Sequence, residues 1–370
     1  EINHFYLFGE RIEWNSDQVG PVGKMNLDGI EKVISDLRIA LGTHKNTDKL
    51  VTLFKKAYLN HNTLDQATRY LVNELFGEYG LLIIDGNDKD LKRQFIPQIK
   101  KDVLQRGFVA NIKECSNRLS MHYKVQAFVR DINFFKLSNG ERSLIEEDIV
   151  ESDIEKNPEN FSPNVLLRPL FQESILPNIA YVGGASEIAY WVQLKTVFEQ
   201  EKIPFPLLVL RNSALLIDEK KKNVFERLGF SLVDLFFSED ELNKRYILNH
   251  SNLEGSLENE KRDLHLVYQK IASKISDIGL QNSIKAQLQK QFSFLDNMQE
   301  KLIRIEKKKS QAAINQIAKI KRFLFLNNSL QERYDNFMAF YLIYGDNFIK
   351  TLKDNFDPLD PNFVVLNLKN

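Results

Sequence analysis

The residues of this chain whose types and spacing could do chemistry crowd into one stretch, Ser162 to Phe198, SPNVLLRPLFQESILPNIAYVGGASEIAYWVQLKTVF. Asn164 to Ser174 reads as a short helix. Ile175 to Val182 reads as a buried strand introduced by Pro177, and Gly183-Gly184 closes it in a tight turn. Ser186 is the predicted N-cap of a helix running to about Glu199. Glu187 sits in its first turn, where a carboxylate is favoured. Strand, Gly-Gly and capped helix together can present backbone N–H groups to an anionic or ribose-bearing ligand. A purely structural turn is the competing reading, since Gly-Gly before a helix is common. The sequence carries no G-x-S-x-G, H-E-x-x-H, P-loop or C-x-x-C. Its six histidines, His4, His44, His61, His122, His250 and His265, show no metal-ligand spacing, and no bound metal is expected.

Other elements must hold this stretch in place. Residues 1–25 read as a hairpin or loop set. Asn26 is the predicted N-cap of a helix over Leu27–Leu41. Asp48–Asn60 and Leu64–Phe76 are amphipathic helices, the second capped by Thr63. The apolar run Tyr79–Asp85, YGLLIID, predicts a buried strand. A helix over Lys89–Gln105, broken by Pro97, and one over Asn111–Leu119 follow. Val125–Phe135 and Arg142–Ile145 flank Ser138-Asn139-Gly140, a hairpin signal. Glu146–Pro163 reads as a linker. Pro206–Leu210 predicts another buried strand. Arg211-Asn212-Ser213 lies at its C-terminal end, where open α/β sheets place ligands. A helix over Glu219–Leu228 leaves that sheet, and Leu232–Phe237 and Glu239–Leu248 lead onward.

From about Leu253 the composition changes. Leu257, Leu264, Ile271 and Ile278 recur every seven residues. Leu288, Leu295 and Leu302 repeat likewise, interleaved with Ile284, Met298 and Ile305. Two such helices joined near Gly279 predict an antiparallel coiled-coil hairpin. Glu254 to Arg322 holds 14 Lys/Arg against 8 Asp/Glu, with Lys301, Arg304, Lys307, Lys308 and Lys309 clustered. That charge reads as a solvated face, a subunit contact or a nucleotide-phosphate site. Ser329–Asp354 predicts a last helix whose aromatic face, Tyr334, Phe337, Phe340, Tyr341, Tyr344 and Phe348, reads as packing. Asp357–Leu368 is expected to fold back as a tail.

The expected fold class is α/β, with a Rossmann-like parallel-sheet core. That core spans 1–250 and includes an inserted helical and hairpin subdomain over about 27–150. A coiled-coil hairpin over 251–330 and a C-terminal helix and tail over 331–370 complete the expected domains. With 370 residues the chain can hold two domains. Fifty basic and fifty acidic residues cancel, so no global field favours nucleic acid or a membrane. The single cysteine, Cys115, excludes a disulfide framework and suits a reducing cytoplasm. No apolar run reaches 18 residues, and neither a membrane span nor a signal peptide is expected.

Arg168-Pro169, Gln172, Leu176-Pro177, Tyr181-Val182-Gly183-Gly184, Glu187-Ile188, Tyr190-Trp191 and Leu194-Lys195, followed by Pro204-Phe205-Pro206 and Arg211, resemble the bacillithiol-synthesis cysteine-adding enzymes, the BshC family. Glu1-Ile2-Asn3-His4 resembles the end of that family's Asp-His-Asp-Phe-x-Glu-Ile-Asn motif. Gln126, Arg130-Asp131-Ile132-Asn133 and Gly140-Glu141-Arg142 resemble its hairpin motif. Asp357-Pro358-Leu359 fits its C-terminal end, so the resemblance covers essentially the whole chain. It implies that the family's first sheet strands precede Glu1, which leaves an incomplete sheet and site expected here.

The resemblance further implies a cytoplasmic ligase joining L-cysteine, through its carboxyl group, to the amino group of glucosaminyl-malate. The substrate's malate carries two carboxylates, which the guanidinium forks of Arg130, Arg168 and Arg211 suit. Gln126, Asn133 and Gln172 would position hydroxyls. Tyr181, Tyr190 and Trp191 would wall the sugar, and Asn3 and His4 enter through the first motif. Gly183-Gly184-x-x-Glu187 also resembles the ribose-binding turn of class I aminoacyl-tRNA synthetases, which keeps ATP or ADP open as a cofactor. Lys220-Lys221-Lys222 stands where a second nucleotide loop could lie but reads as a solvated face. No general base is assigned. A homodimer through the coiled coil is expected, and a non-catalytic coiled-coil scaffold or nucleotide-binding protein is the alternative.

Overall fold

The computed structural model describes residues 3–138, 140–250, 257–334 and 336–368. It opens on a hairpin in which β1 (His4–Leu7) pairs antiparallel with β2 (Glu10–Glu13). The turn between them places Phe8 at φ 55° and Gly9 at φ 82°, left-handed values that match the strand twist. Three helices follow, α1 (Ile30–Leu41), α2 (Thr47–Leu59) and α3 (Leu64–Phe76). The first starts later than expected because the Asn26 side chain takes the Asp28 N–H (3.2 Å) in a turn instead of capping a helix. Thr63 does precede α3, but its hydroxyl donates to Asp65 and caps nothing.

The expected strand over Tyr79–Asp85 does not form. Residues 81–85 are irregular, and Leu82 is 80 % exposed. No described strand runs beside them, and a lone strand would leave its peptide groups without ladder partners. Next come α4 (Lys89–Arg93), α5 (Ile96–Val103) and α6 (Val109–Ser120). Pro97 lies in the first turn of α5, where its missing N–H costs nothing, so it starts a helix rather than breaking one.

The strand expected over 125–135 begins only at Phe134, as β3 (Phe134–Ser138). It pairs antiparallel with β4 (Glu141–Leu144). Asn139, in the hairpin signal, lies outside the described residues. After α7 (Glu151–Lys156), β5 (Phe161–Pro163) pairs on the other edge of β3. The central stretch then gives α8 (Arg168–Ile175), β6 (Ala180–Gly183), α9 (Ala185–Trp191), α10 (Lys195–Glu201) and β7 (Leu207–Leu210). The helix expected to reach Glu199 is thus two helices joined by a 3-10 turn at Val192–Leu194. Phe95, Phe108, Ile112, Phe134, Phe161, Leu170, Trp191 and Phe198 form one buried core under these elements.

β6 and β7 form a parallel pair, Ala180↔Leu207 through Gly183↔Leu210. They were expected to be buried strands. Instead Val182 and Leu207 stand 53 % and 62 % exposed, because only one face of the pair packs on the core.

From Ala214 a second core begins. It comprises β8 (Ala214–Asp218), α11 (Glu219–Arg227), α12 (Glu239–His250), α13 (Glu258–Ala272), α14 (Ile278–Lys309), α15 (Gln311–Leu324) and α16 (Gln331–Tyr334). Leu215, Ile217, Phe225, Leu242, Ile317 and Leu324 are buried in it. α13 and α14 form the expected helical hairpin, but residues 273–277 make the turn and Gly279 lies inside α14. Ile271 and Ile278 are therefore exposed, by 45 % and 73 %, while Leu264 and Leu288 are half-buried. Leu253, Glu254 and the side chain of Lys307 lie outside the described residues.

The helix expected over Ser329–Asp354 is also divided, with α17 (Met338–Tyr344) and α18 (Asp346–Asn355) meeting at Gly345. Its φ of 59° with ψ of −142° is not helical. The expected tail ends in a strand, β9 (Val364–Leu368), which pairs with β8. The described residues of 3–213 and 336–364 form one compact unit, and those of 214–334 and 365–368 form another. The expected core boundary at 250 falls within the second.

Candidate functional site

The first unit brings Arg168, Tyr181, Gly183, Gly184, Glu187, Tyr190, Trp191 and Arg211 together at the C-terminal ends of β6 and β7, with Gln172 on the same helix as Arg168. The strands end level, and the Arg211 N–H extends their ladder to the Gly183 carbonyl (2.9 Å). Gly184, not Ser186, is the N-cap of α9. Its N–H donates to the Glu187 carboxylate (2.7 Å). Glu187 thus closes the cap from within the helix, and that N–H is not offered outward.

Gly183 is buried, and a Cβ there would lie 2.5 Å from Cε1 of Tyr181. The Tyr181 ring stacks on Trp191, with centroids 4.1 Å apart and planes at 25°. Trp191 is itself a core residue, 1 % exposed and packed against Phe198 and Phe205. Only its Tyr181 face belongs to the wall. Tyr190 stands beside Tyr181. Burial pushes its phenol up to about 12, helped by Tyr181 and Glu187 and opposed by the Arg168 charge. Burial also raises Tyr181, with Glu187 adding and Arg211 opposing. Both phenols therefore stay protonated through neutral pH and serve as hydrogen-bond donors.

Arg168 is the first residue of α8, and Arg211 follows β7 with its guanidinium carbon 3.6 Å from where a Gly184 Cβ would be. Both side chains are exposed, and neither forms an ion pair with a described residue. Arg142, of the hairpin motif, lies within reach of the Arg168 charge. Its guanidinium sits 3.7 Å over the Phe135 ring and donates to the Pro163 carbonyl (3.3 Å). Burial and the like charge of Arg168 lower its pKa. Gln172 donates to Glu173 (3.0 Å). Glu173, 1 % exposed, also accepts the Asn178 N–H (2.7 Å) and side-chain amide (2.9 Å), fixing the approach to β6. A carboxylate in an apolar-looking helix gave no sequence signal of this role.

The other expected residues lie elsewhere in the unit. Gln126 and Arg130 are exposed on the loop between α6 and β3, whereas Asn133 is wholly buried. Asn3 and His4 border an apolar cavity of about 210 Å³ among Phe5, Ile12, Trp14 and Phe337. Asn3 donates to Glu13 (3.1 Å), and His4 contacts Asn3 (3.1 Å). No hydrogen bond or ring contact among the described residues joins these two to the β6–β7 group. Glu1 and Ile2 of that motif lie outside the described residues. The Asn212 side chain donates to the carbonyls of Asp357 (2.8 Å) and Asp360 (3.2 Å), which ties the Asp357-Pro358-Leu359 motif to the end of β7.

The family model of the bacillithiol biosynthesis BshC N-terminal Rossmann-like domain matches residues 1–212, and that of the BshC C-terminal coiled-coil domain matches residues 214–368. The chain belongs to the BshC family. Among curated relatives, a BshC cysteine ligase named from Christiangramia forsetii is 37 % identical over 99 % of this chain and 72 % of its own length. Those of Flavobacterium johnsoniae and Flavobacterium psychrophilum are each 36 % identical, over 100 % and 99 % of this chain and 73 % and 72 % of their own lengths. The β6–β7 pair accordingly lies in the Rossmann-like domain, and α13–α14 in the coiled-coil domain. No helix among the described residues is long and apolar enough to cross a membrane.

Proposed function

We propose that this BshC-family chain is a cytoplasmic cysteine ligase that joins L-cysteine to glucosaminyl-malate and so forms bacillithiol. One observation carries the substrate assignment. Two exposed guanidinium groups without ion-pair partners among the described residues, Arg168 and Arg211, flank a pair of protonated tyrosines at the C-terminal ends of two parallel strands. That arrangement suits a dicarboxylate attached to a sugar. The names of the relatives supply the reaction type.

The new C–N bond forms as the substrate amine attacks the cysteine carboxyl carbon. One carboxyl oxygen departs as water, or with an activating group if ATP is consumed. Arg168 and Arg211 bind the malyl carboxylates and hold the amine in place. In this reading the Tyr190 hydroxyl, which stays protonated at neutral pH and bonds to Tyr181, turns to donate to the oxyanion that develops at the attacked carbon. Glu187 accepts the Gly184 N–H, and no residue is assigned as the general base. Purified chain incubated with cysteine and glucosaminyl-malate, with and without ATP, tests the reading by mass detection of bacillithiol. Failure in both conditions, with binding of glucosaminyl-malate absent as well, sinks it.

The coiled-coil hairpin supports pairing of two copies. Phe294, Met298 and Ile305 fall on one face of α14 and are exposed by 58 %, 37 % and 53 %. The variant Phe294→Asp/Met298→Lys is expected to convert a dimer into a monomer in light scattering, with helical content retained. A wild-type chain that is already monomeric at micromolar concentration overturns the homodimer.

A further inference from the structure

The loop between α6 and β3, which carries Gln126 and Arg130, is held from inside by two buried side chains. Gln193, between α9 and α10, accepts the Ala127 N–H (3.0 Å) and donates to the Ala127 carbonyl (3.1 Å) and the Ser116 hydroxyl (2.9 Å). Asp102, near the end of α5 and 0 % exposed, accepts the Asn133 N–H at Oδ2 (2.6 Å). Its Oδ1 faces the Asn133 amide nitrogen at 3.4 Å.

Asn133 passes the constraint on in two directions. Its side-chain amide donates to the Arg130 carbonyl (2.9 Å). Its Oδ1 and backbone carbonyl accept from the side chain (2.9 Å) and N–H (2.8 Å) of Asn164. Asn164 in turn caps Leu166 and Leu167 through its side-chain oxygen (2.9 and 3.1 Å) and accepts the Arg168 N–H (3.0 Å). An unbroken run of hydrogen bonds therefore leads from Asp102 to both Arg130 and the start of the helix bearing Arg168.

We propose that Asp102 is a positioning residue whose ionised carboxylate locks Asn133 and so fixes the Arg130 loop against the Arg168 helix start. The lock requires an acceptor at both oxygens, because Asn133 turns two donors toward it. A neutral acid or an amide brings hydrogen to one of those positions and faces a donor with a donor. Burial works against the ionised state and raises Asp102 to about 6, opposed by the Asn133 hydrogen bonds and the Arg106 charge. Other charges on the packed elements are engaged elsewhere. Glu151 and Glu155 of α7 pair with Lys100 (2.7 and 2.6 Å), and Asp131 pairs with Lys113 (3.5 Å).

The lock and global stability then respond to pH in opposite senses. Asp102 binds its proton more tightly folded than unfolded, so its contribution to stability falls as pH rises from about 4 to about 6. The lock tightens over the upper part of that range. An ordinary structural carboxylate would lose stability and local order together.

The test is Asp102→Asn in the full chain, followed by amide hydrogen exchange from pH 5 to 8 after correction for intrinsic rates. Wild-type protection at Arg130–Asn133 and Leu166–Arg168 should rise through about pH 6. In the variant these amides should exchange at least about 10-fold faster at pH 7.5, without pH dependence, at a melting temperature no lower than wild type. Unchanged protection, or a uniform loss across the unit, overturns the proposal. The consequence for substrate rests on the ligase reading. There, KM for glucosaminyl-malate should rise about 10-fold with kcat little changed. A wild-type chain without turnover counts against the ligase alone, because the exchange result still decides the role of Asp102.

Discussion

Arg168→Ala is expected to lower kcat/KM for glucosaminyl-malate by about 100-fold, mostly through KM. A bidentate, charge-assisted pairing with a carboxylate is worth roughly 3 kcal/mol, and each 1.4 kcal/mol is a factor of about ten. The exposed Arg168 side chain has no ion-pair partner among the described residues to release, so the change removes ligand contacts and little else. Removing its charge should also relieve Arg142, whose pKa Arg168 helps to lower. The folded state is therefore not expected to weaken. Arg168→Lys keeps the charge but loses the fork, and a loss of about 10-fold is expected. Arg211→Ala should behave like Arg168→Ala, and added salt should raise the wild-type KM more than that of either variant. Equal KM in wild type, Arg168→Ala and Arg211→Ala would remove the dicarboxylate from this place and favour the scaffold alternative.

The parts of this site that a sequence can reveal are those set by local rules. Gly183-Gly184 between an apolar run and a helical pattern gave the strand, the turn and α9. Arg211 after a β-rich run placed a cation at a strand end. Both are short-range features, and both parallel strands formed. The misplaced N-cap is also local. Gly184 takes the cap because Glu187 can reach back to its N–H, and Ser186 cannot cap a helix that has already begun at Ala185.

What stayed hidden depends on partners distant in the chain. The run from Leu81 to Ile84 has the apolar character of a buried strand, but composition specifies a wish for burial and not a neighbour to pair with. No described strand meets it. Asp102 and Asn133 are 31 positions apart, and Asn212 and Asp357 are 145. Nothing near Asp102 in sequence distinguishes it from a solvated residue on an amphipathic helix. Asn133 had the opposite fate. It was expected to meet substrate hydroxyls, yet all its polar atoms are turned into the protein, which makes it a support for its neighbours.

Gly183→Ala is expected to cost roughly 1–3 kcal/mol, the range for forcing an added group into a packed interior. A shift of about 2–6 °C in melting temperature would follow for a domain of this size. The cause is not backbone conformation, because Gly183 does not adopt a positive φ. It is the Tyr181 ring, whose Cε1 would lie 2.5 Å from the new methyl, with Ile188 Cδ1 at 3.3 Å. The ring cannot retreat inward, since Trp191 behind it is wedged against Phe198 (5.9 Å) and Phe205 (6.0 Å). It must swing outward, off its stack, into the space beside Tyr190. Near-ultraviolet circular dichroism should therefore lose the Tyr181–Trp191 signal, and turnover should fall with it. Tyr181→Ala in the same chain makes room for the methyl, so the double variant should be more stable than the two single losses predict. Gly184→Ala offers the contrast. Its nearest neighbours would be Glu187 Oε2 at 3.3 Å and Arg211 Cζ at 3.6 Å, both on side chains that can shift. It should lower the melting temperature less than Gly183→Ala and move the KM, because what it disturbs is the helix cap and the guanidinium and not the aromatic stack. An additive double variant at 181 and 183, with the aromatic signal intact in Gly183→Ala, would mean that the tyrosine wall is loose and that the glycine is there for the turn alone.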